Sequence, residues 1–445
     1  MKTSQTTMIF MSLIFLLSTL GVQAQDEHWT LEECIIYALK ENIRVKQADL
    51  TGQRNELYSE QARAAKLPSL SGSVSQNFNW NKSLQTASGQ YGSLEGANST
   101  SYGLNSNMVL FNGMKLNNQE KQAELNLQSS YYYAETIKES IELSILEAFL
   151  QVLYAQENVT NAQKQIEATK EQLALAEERL TLGMISQSDY LQIKSQLAAE
   201  KLTLANAYSV QSIAKVSLMQ LMELPVEDGF EIASPPLESL LEKQVQPNAF
   251  EIYQQALSIK PQIKMTDLDQ QSARLEEKIA KASLLPSLSL NAGLGTNYSS
   301  LQPDFDYSSQ LKNQISPSVG LSLSIPIFQN KQAQTSIGLA KIGITDAELE
   351  AINTRNELRK EIEQASVDAL SAQSEYKASV EQFQAVQESN EVANEKYQIG
   401  LMNSVDYLYE KTNLITAESE LLQSKYRLLF AAKILDFYKG IPLTL

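Results

Sequence analysis

The chain has 445 residues and a formal net charge of −16, and 43% of its residues are hydrophobic. This acidic, globular composition argues against nucleic acid, and against an anionic lipid surface, as the main partner. A single histidine, His28, and a single cysteine, Cys34, leave no material for a His/Cys metal cluster, a His-based catalytic triad or an internal disulfide. The sequence therefore predicts a protein that is not an enzyme and uses no cofactor.

The N-terminus carries the pattern of an export signal. Lys2 precedes an apolar run over residues 8–20, and a small-residue cleavage pattern ends at Ala24. The run is shorter than the roughly 20 residues that a membrane-spanning helix needs. We therefore predict that residues 1–24 are a signal peptide and that the mature chain starts at Gln25.

A first helix, predicted from about Leu31 to Ala65, is followed by two strands. From Ser69 to Trp80, apolar residues alternate with Ser and Asn, and residues 102–110 show the same period of two. The pattern predicts a β-hairpin over about residues 67–112. Its polar faces carry almost no charge, which suits the wet lumen of a membrane barrel better than the surface of a soluble sheet.

A coiled-coil hairpin is predicted next, over about residues 113–222. Neither proline nor internal glycine interrupts its first helix, which is about 100 Å long at 1.5 Å per residue. Apolar residues recur there at spacings of three and four, which indicates a heptad seam that resumes after Thr169. The seam includes Ile137, Ile141, Ile145, Ala148, Val152, Ala155, Val159, Ala162 and Ile166. Gly183 marks the turn to a second helix, from about Gln187 to Met222.

The second half of the chain repeats the first. The proline-containing stretch 226–247 is predicted to link a first structural repeat, residues 25–225, to a second one, residues 248–445. Residues that recur at a nearly constant offset are Pro68 with Pro286, Gly183 with Gly400, and Asp189 with Asp406. The second copy is predicted to have a helix from about Asn248 to Ala282, a β-hairpin at about 284–328 and a coiled-coil hairpin at about 330–438.

Four strands per chain are too few to close a barrel, because even small barrels need about eight. Unpaired strand edges within a bilayer would leave backbone groups without partners, so several chains would have to share one barrel. The alternative is a soluble periplasmic coiled-coil scaffold without channel activity, in which the strands form a small cap.

The turns between the long helices carry the most specific family resemblance. Residues 179–191 (RLTLGMISQSDYL) and 396–408 (KYQIGLMNSVDYL) place a glycine and an aspartate at the same spacing, and residues 109–113 and 325–328 resemble a strand-exit motif. On these motifs the mature chain resembles the TolC-like outer membrane efflux proteins. The resemblance implies a mainly α-helical homotrimer with a β-barrel portion, in which a 12-stranded transmembrane barrel tops an α-helical barrel in the periplasm.

This resemblance also implies a function. The trimer would be a channel in the outer membrane of a Gram-negative bacterium, in contact with outer membrane lipid. It would be the passive exit duct of a tripartite efflux pump or a type I secretion system. Partners would be a periplasmic adaptor (membrane fusion) protein and an inner membrane pump that supplies the energy. Iris-like motion of the coiled-coil hairpins would open it.

The residues that match the family's functional positions lie at the two hairpin tips. The implied adaptor-docking positions are Leu182, Gly183 and Met184 in the first tip and Ile399, Gly400 and Leu401 in the second. The implied periplasmic gate consists of Asp189, linked to Tyr397 between neighbouring hairpins, and Asp406, which would face the pore.

Two positions depart from the family pattern. Met402 stands where some members carry an arginine that helps to hold the gate shut, and Tyr409 stands where they carry a second acidic ring. Helix capping is an alternative role for both aspartates, because Ser188 or Asp189, and Ser404 or Asp406, are placed where the next helix starts. Capping and gating are compatible.

Overall fold

The structure is a computed structural model that describes residues 28–85, 90–226, 229–236, 246–302 and 304–445. The predicted signal peptide and part of the predicted linker lie outside the described residues. In chain order, the elements are α1 (Leu31–Glu41), α2 (Ile43–Ala64), β1 (Ser69–Gln85), β2 (Gln90–Phe111), α3 (Lys115–Thr181), α4 (Gln187–Leu221), α5 (Ala249–Ile259), α6 (Pro261–Ala282), β3 (Ser287–Ser299), α7 (Tyr307–Asn313), β4 (Ser316–Ser324), α8 (Gln332–Gln398) and α9 (Ser404–Tyr438).

Helices of the two halves have matching lengths. Helices α1 and α5 have 11 residues each, α2 and α6 have 22 each, α3 and α8 have 67 each, and α4 and α9 have 35 each. Among the described residues, no helix combines the length and the apolar character that crossing a membrane requires.

The single helix predicted at the start of each half was wrong, because the structure has two helices there. Asn42 leaves the helical region with ψ 130° between α1 and α2, and its side-chain amide donates to the carbonyl of Leu221 at 2.8 Å. Lys260, with ψ 127°, takes the corresponding place before Pro261. A proline disfavours helical backbone in the residue before it, so Pro261 was a visible signal for the second break. A break of one residue barely disturbs the apolar periodicity, which is why the prediction missed both.

The four strands form one antiparallel sheet in the order β1-β2-β3-β4. The register aligns polar residues in rows across it, such as Ser71 with Asn105, Asn105 with Gly293, and Gly293 with Ser318. Apolar residues align on the opposite face, where Leu290 lies across from Met108 and Leu321. The predicted alternation is thereby confirmed. In the single chain the apolar face is exposed, with Val74 at 68% and Val319 at 78%.

The connection between β3 and β4 contains a helix that the sequence did not predict. The side-chain amide of Gln310 in α7 is 2% exposed and donates to the carbonyls of Ser299 and Gln302 at 3.1 Å and of Phe305 at 3.0 Å. Its oxygen accepts from the Ser299 amide at 2.8 Å. Seven residues are too few to show a helical period in the sequence. In the structure, Gln310 anchors α7 to the loop that precedes it.

The chain divides into two compact units. Of the described residues, one unit takes in those within 28–43, 138–226, 229–236, 246–255 and 362–445, and it holds α1, α4, α9, α3 from residue 138 and α8 from residue 362. Most of the predicted seam lies in its core, since Ile145, Val152 and Ala155 are fully buried, whereas Ile137 belongs to the other unit. The other unit comprises residues 44–137 and 256–361 and holds α2, α6 and the sheet.

Candidate functional site

Both helical hairpins of the first unit turn through the same backbone motif. The Gly183 and Gly400 backbones are left-handed, with φ of 75° and 78°. Beyond each glycine, the amide of Met184 or Leu401 donates to the carbonyl of Arg179 or Lys396 at 2.8 Å. This hydrogen bond closes the last helical turn and satisfies carbonyls that the helix end leaves free. Glycine is favoured here because side chains rarely tolerate this φ.

The N-cap residues of the helices that follow the turns are Ser186 and Asn403, and Asp189 takes part in the first cap, as the capping alternative predicts for it. Ser186 caps α4, where its hydroxyl accepts from the Asp189 amide at 3.1 Å. Asn403 caps α9, where its side-chain oxygen accepts from the Asp406 amide at 2.8 Å. The predicted choices of Ser188 and Ser404 were wrong, because both lie inside the first turn. From the third helical position, the Asp189 carboxylate completes the first cap by accepting from the Ser186 backbone amide at 3.2 Å.

The carboxylate of Asp189 also joins the two hairpins. One oxygen accepts from the Ser186 hydroxyl at 2.7 Å, and the other accepts from the hydroxyl of Ser404 at the start of α9. Ser404 is only 1% exposed. The hydrogen bond from Ser404, followed by that from Ser186, holds the pKa of Asp189 below its ordinary value of 3.8, and burial opposes them.

Arg179, at the end of α3, contacts the end of α8. Its guanidinium donates to the carbonyl of Gln398 at 2.7 Å and to that of Tyr397 at 3.4 Å, and it lies 5.9 Å from the centre of the Tyr397 ring. A cation at a helix C-terminus is favourable because it faces the negative end of the helix dipole. The Tyr397 ring stacks on Tyr407 of α9 at 4.8 Å. Burial raises the pKa of Tyr397, Arg179 opposes this, and Asp189 raises it further.

These contacts surround a cavity of about 580 Å³ between the tips. Asp189 and Tyr397 both line it, so the structure brings two of the three predicted gate residues together. The third, Asp406, is exposed at the start of α9, accepts from the Asn403 side chain at 2.8 Å, and does not line this cavity. The predicted link from Asp189 to Tyr397 joins neighbouring hairpins, and it stays a prediction.

The apolar side chains among the predicted docking residues are exposed on both tips. The exposed fractions are 66% for Leu182, 70% for Met184, 71% for Ile399 and 76% for Leu401. A β-carbon added at Gly183 or Gly400 would meet no atom within 4 Å. The tips therefore present exposed large apolar side chains next to glycines whose surroundings are open.

Sequence reasoning missed a polar cluster farther from the tips. Glu200 of α4 and Lys411 of α9 form an ion pair of 3.1 Å with side chains 7% and 5% exposed. Thr169 of α3 is fully buried and hydrogen-bonds both of them. A signal existed, because Leu197 follows Ile193 by four residues and Glu200 follows Leu197 by three, which places Glu200 on the apolar seam of α4.

The geometry defines a class: two capped helical hairpins combined with a four-stranded antiparallel sheet. The model of the family "Outer membrane efflux protein" matches residues 35–223 and again residues 252–440. The chain belongs to this family. It is 25% identical to the outer membrane protein TolC of Escherichia coli over 353 residues, which cover 75% of this chain and 68% of TolC.

Solved structures share the fold. The outer membrane channel CmeC of Campylobacter jejuni superposes with a TM-score of 0.79 at 20% identity, over 92% of this chain and 85% of CmeC. The open-state outer membrane channel MtrE of Neisseria gonorrhoeae superposes with a TM-score of 0.75 at 17% identity, over 93% and 90%. Family and fold together support an efflux-channel role at the outer membrane.

Proposed function

We propose that three copies of this chain form the exit duct of a tripartite efflux or type I secretion system. In this proposal, a 12-stranded barrel spans the outer membrane and the helical hairpins extend through the periplasm. The duct is passive. An inner membrane pump supplies the energy and is coupled to the duct through a periplasmic adaptor protein.

The sheet is the observation that carries the proposal. It is an open meander of four strands whose outer members, β1 and β4, each pair on one side only within the chain. One face bears exposed apolar residues such as Leu70, Val74 and Leu321, and the other bears mainly Ser, Asn and Gly. A bilayer tolerates such a sheet only if its edges are closed, and edge-to-edge pairing of several chains supplies that closure.

The tips are proposed to dock the adaptor. Leu182, Met184, Ile399 and Leu401 are large apolar residues that are mostly exposed in the single chain. Exposed apolar groups of this kind mark protein interaction sites. The adaptor would cover them, with Gly183 and Gly400 allowing close approach.

The gate is proposed to lie just behind the docking points. Asp189 and Tyr397 line one cavity between the hairpins, so separating the hairpins would disrupt their surroundings. Three copies of Asp406, exposed at the start of α9, would form a ring that attracts cations and repels anions. Met402 and Tyr409 add no charge to that ring, so we expect moderate cation selectivity.

Membrane extraction followed by planar-bilayer recording tests the proposal. The full chain, expressed with its signal, should leave the membrane only with detergent and insert as a stable, low-conductance, cation-preferring pore. A folded oligomer that washes out with salt and never inserts would instead establish the soluble periplasmic scaffold.

A further inference from the structure

The polar cluster of Thr169, Glu200 and Lys411 interrupts apolar packing at one level of the coiled coil. Thr169 falls between Ile166 and Leu173 on the seam of α3, at spacings of three and four. Glu200 occupies the equivalent place on α4, and Lys411 lies one turn beyond buried Tyr407 on α9. Polar residues from three separate helices therefore meet in one layer.

This polar layer joins the two hairpins of the chain. Thr169 and Glu200 belong to the first hairpin and Lys411 to the second. The Lys411 ammonium lies 3.1 Å from one Glu200 oxygen and also donates to the Thr169 hydroxyl. Gln196, one turn before Glu200, donates to the same carboxylate at 3.0 Å. Each charge is thus paired and hydrogen-bonded inside the helical packing.

The polar layer is poorly explained by stability alone. Burial lowers the pKa of Lys411, and the Glu200 charge and hydrogen bond only oppose that shift. Desolvation of a buried ion pair commonly cancels its attraction, and apolar replacements of similar volume are often equally stable. A single buried polar position in a coiled coil does, however, fix its register, because any shift buries unpaired charge.

We infer that the polar layer is a register lock, which positions the second hairpin on the first and resists their relative movement when the pore opens. Thr169, Glu200 and Lys411 are positioning residues, since they lie on helices α3, α4 and α9 and outside the cavity between the tips. The claim that the polar layer resists pore opening rests on the proposed function. The claim that it fixes the register depends only on the packing of the two hairpins.

The test replaces the ion pair by apolar residues of similar size. In Glu200→Leu with Lys411→Met, the Thr169 hydroxyl keeps the Gln165 carbonyl, 2.9 Å away, as an acceptor. The matched control is Glu167→Leu with Lys170→Met, which removes an exposed pair of the same residue types on α3, 3.4 Å apart. Spin labels at the exposed positions Leu182 and Leu401 report the distance between the tips. The Cys34→Ala substitution removes the native thiol, and dilution with unlabelled chains restricts the measurement to label pairs within one chain.

The lock predicts a broadened or shifted tip distance in the apolar pair variant, at an unfolding temperature close to that of the control. It also predicts an open probability about tenfold higher, the ratio equivalent to 1.4 kcal/mol. The control should match wild type in both readouts. A wild-type distance distribution and wild-type opening in a stable apolar variant would overturn the lock.

Two further outcomes separate the lock from the duct. A changed tip distance in a protein that never forms pores supports the lock and rejects the proposed function. If the apolar variant does not assemble, Glu200→Gln carries the test, because it keeps the volume and one acceptor but removes the charge. An intermediate broadening then supports the lock, and an unchanged distribution rejects it.

Discussion

The two hairpin tips share a backbone but differ in their side-chain chemistry. Gly183 and Gly400 adopt the same left-handed conformation, and an aspartate follows each glycine by six residues. At the first tip, Asp189 completes its own cap and also accepts from Ser404 of the second hairpin. At the second tip, Asp406 accepts from Asn403 and is exposed.

The comparison separates residues that form the turn, which both tips share, from residues whose contacts differ between the tips. The glycine and the cap recur in both tips because any helix-turn-helix of this geometry needs them. The hydrogen bond to Ser404 gives Asp189 a part in holding the hairpins together. Within the part of the chain that the structure describes, Asp406 forms no such bond to the other hairpin, which fits the pore-facing role proposed for its carboxylate.

Valine at either tip glycine should have the largest effect. A left-handed β-branched residue is strained, at a cost of about 1–3 kcal/mol, so Gly183→Val and Gly400→Val should lower the thermal unfolding midpoint equally. Gly343→Ala is the control, because it lies inside α8 with nothing within 4 Å of the added carbon. It should raise the midpoint, since alanine is the better helix former by about 1 kcal/mol. A tolerated valine would contradict the shared turn geometry.

Removing the caps should have a smaller effect, again at both tips. Ser186→Ala and Asn403→Ala each delete the acceptor of a first-turn amide, which costs about 1 kcal/mol. Hydrogen exchange should accelerate in the first turn of α4 for one variant and of α9 for the other. Unchanged exchange at either helix start would show that the cap there contributes nothing.

Removing the contact between the hairpins should distinguish the tips. Ser404→Ala deletes the donor to Asp189 but leaves both caps, and we expect a loss of about 0.5–1.5 kcal/mol. In a double-mutant cycle with Asp189→Ala, Ser404→Ala should show coupling, whereas exposed Ser188→Ala should show almost none. Equal coupling for both serines would remove the distinction between the tips.

The pH dependence of this contact should be the smallest effect. The folded-state pKa of Asp189 lies below 3.8, so its stabilisation is complete above that pH and is lost as pH falls through the lower folded value. The tip distance between spin labels at Leu182 and Leu401 should stay constant from about pH 7 to about pH 5 and change only below about pH 3.8. Asp189→Asn should abolish this transition. A transition near neutral pH would place the responsible group elsewhere.

Much of the fold could be predicted because its signals are local. The alternation in β1 and β2, the heptads of α3 and the glycines at the turns each act within a few residues. The breaks at Asn42 and Lys260 were missed because one residue hardly alters a period. Helix α7 was missed because its anchor, Gln310, hydrogen-bonds loop carbonyls that are not adjacent in sequence.

The site was predictable in position but not in its contacts. The tip motif located Asp189 and Tyr397, which line one cavity. The role of Ser404 depends on α4 and α9 meeting, and that of Arg179 on its proximity to the end of α8. Neither contact can be predicted from neighbouring residues in the sequence, because each joins helices that are far apart along the chain. Glu200 differs from Ser404 and Arg179. The prediction missed it, but a carboxylate on an apolar seam is a signal that the sequence does show.

A gate at the hairpin tips is tested most directly by the conductance of single pores in a planar bilayer, with wild type compared to Asp189→Ala combined with Tyr397→Ala. In the proposed function, the hairpin tips close a duct. Wild type should therefore insert as a low-conductance, cation-preferring pore, and the double variant should conduct several-fold more. Pores of equal conductance would contradict a gate at the tips.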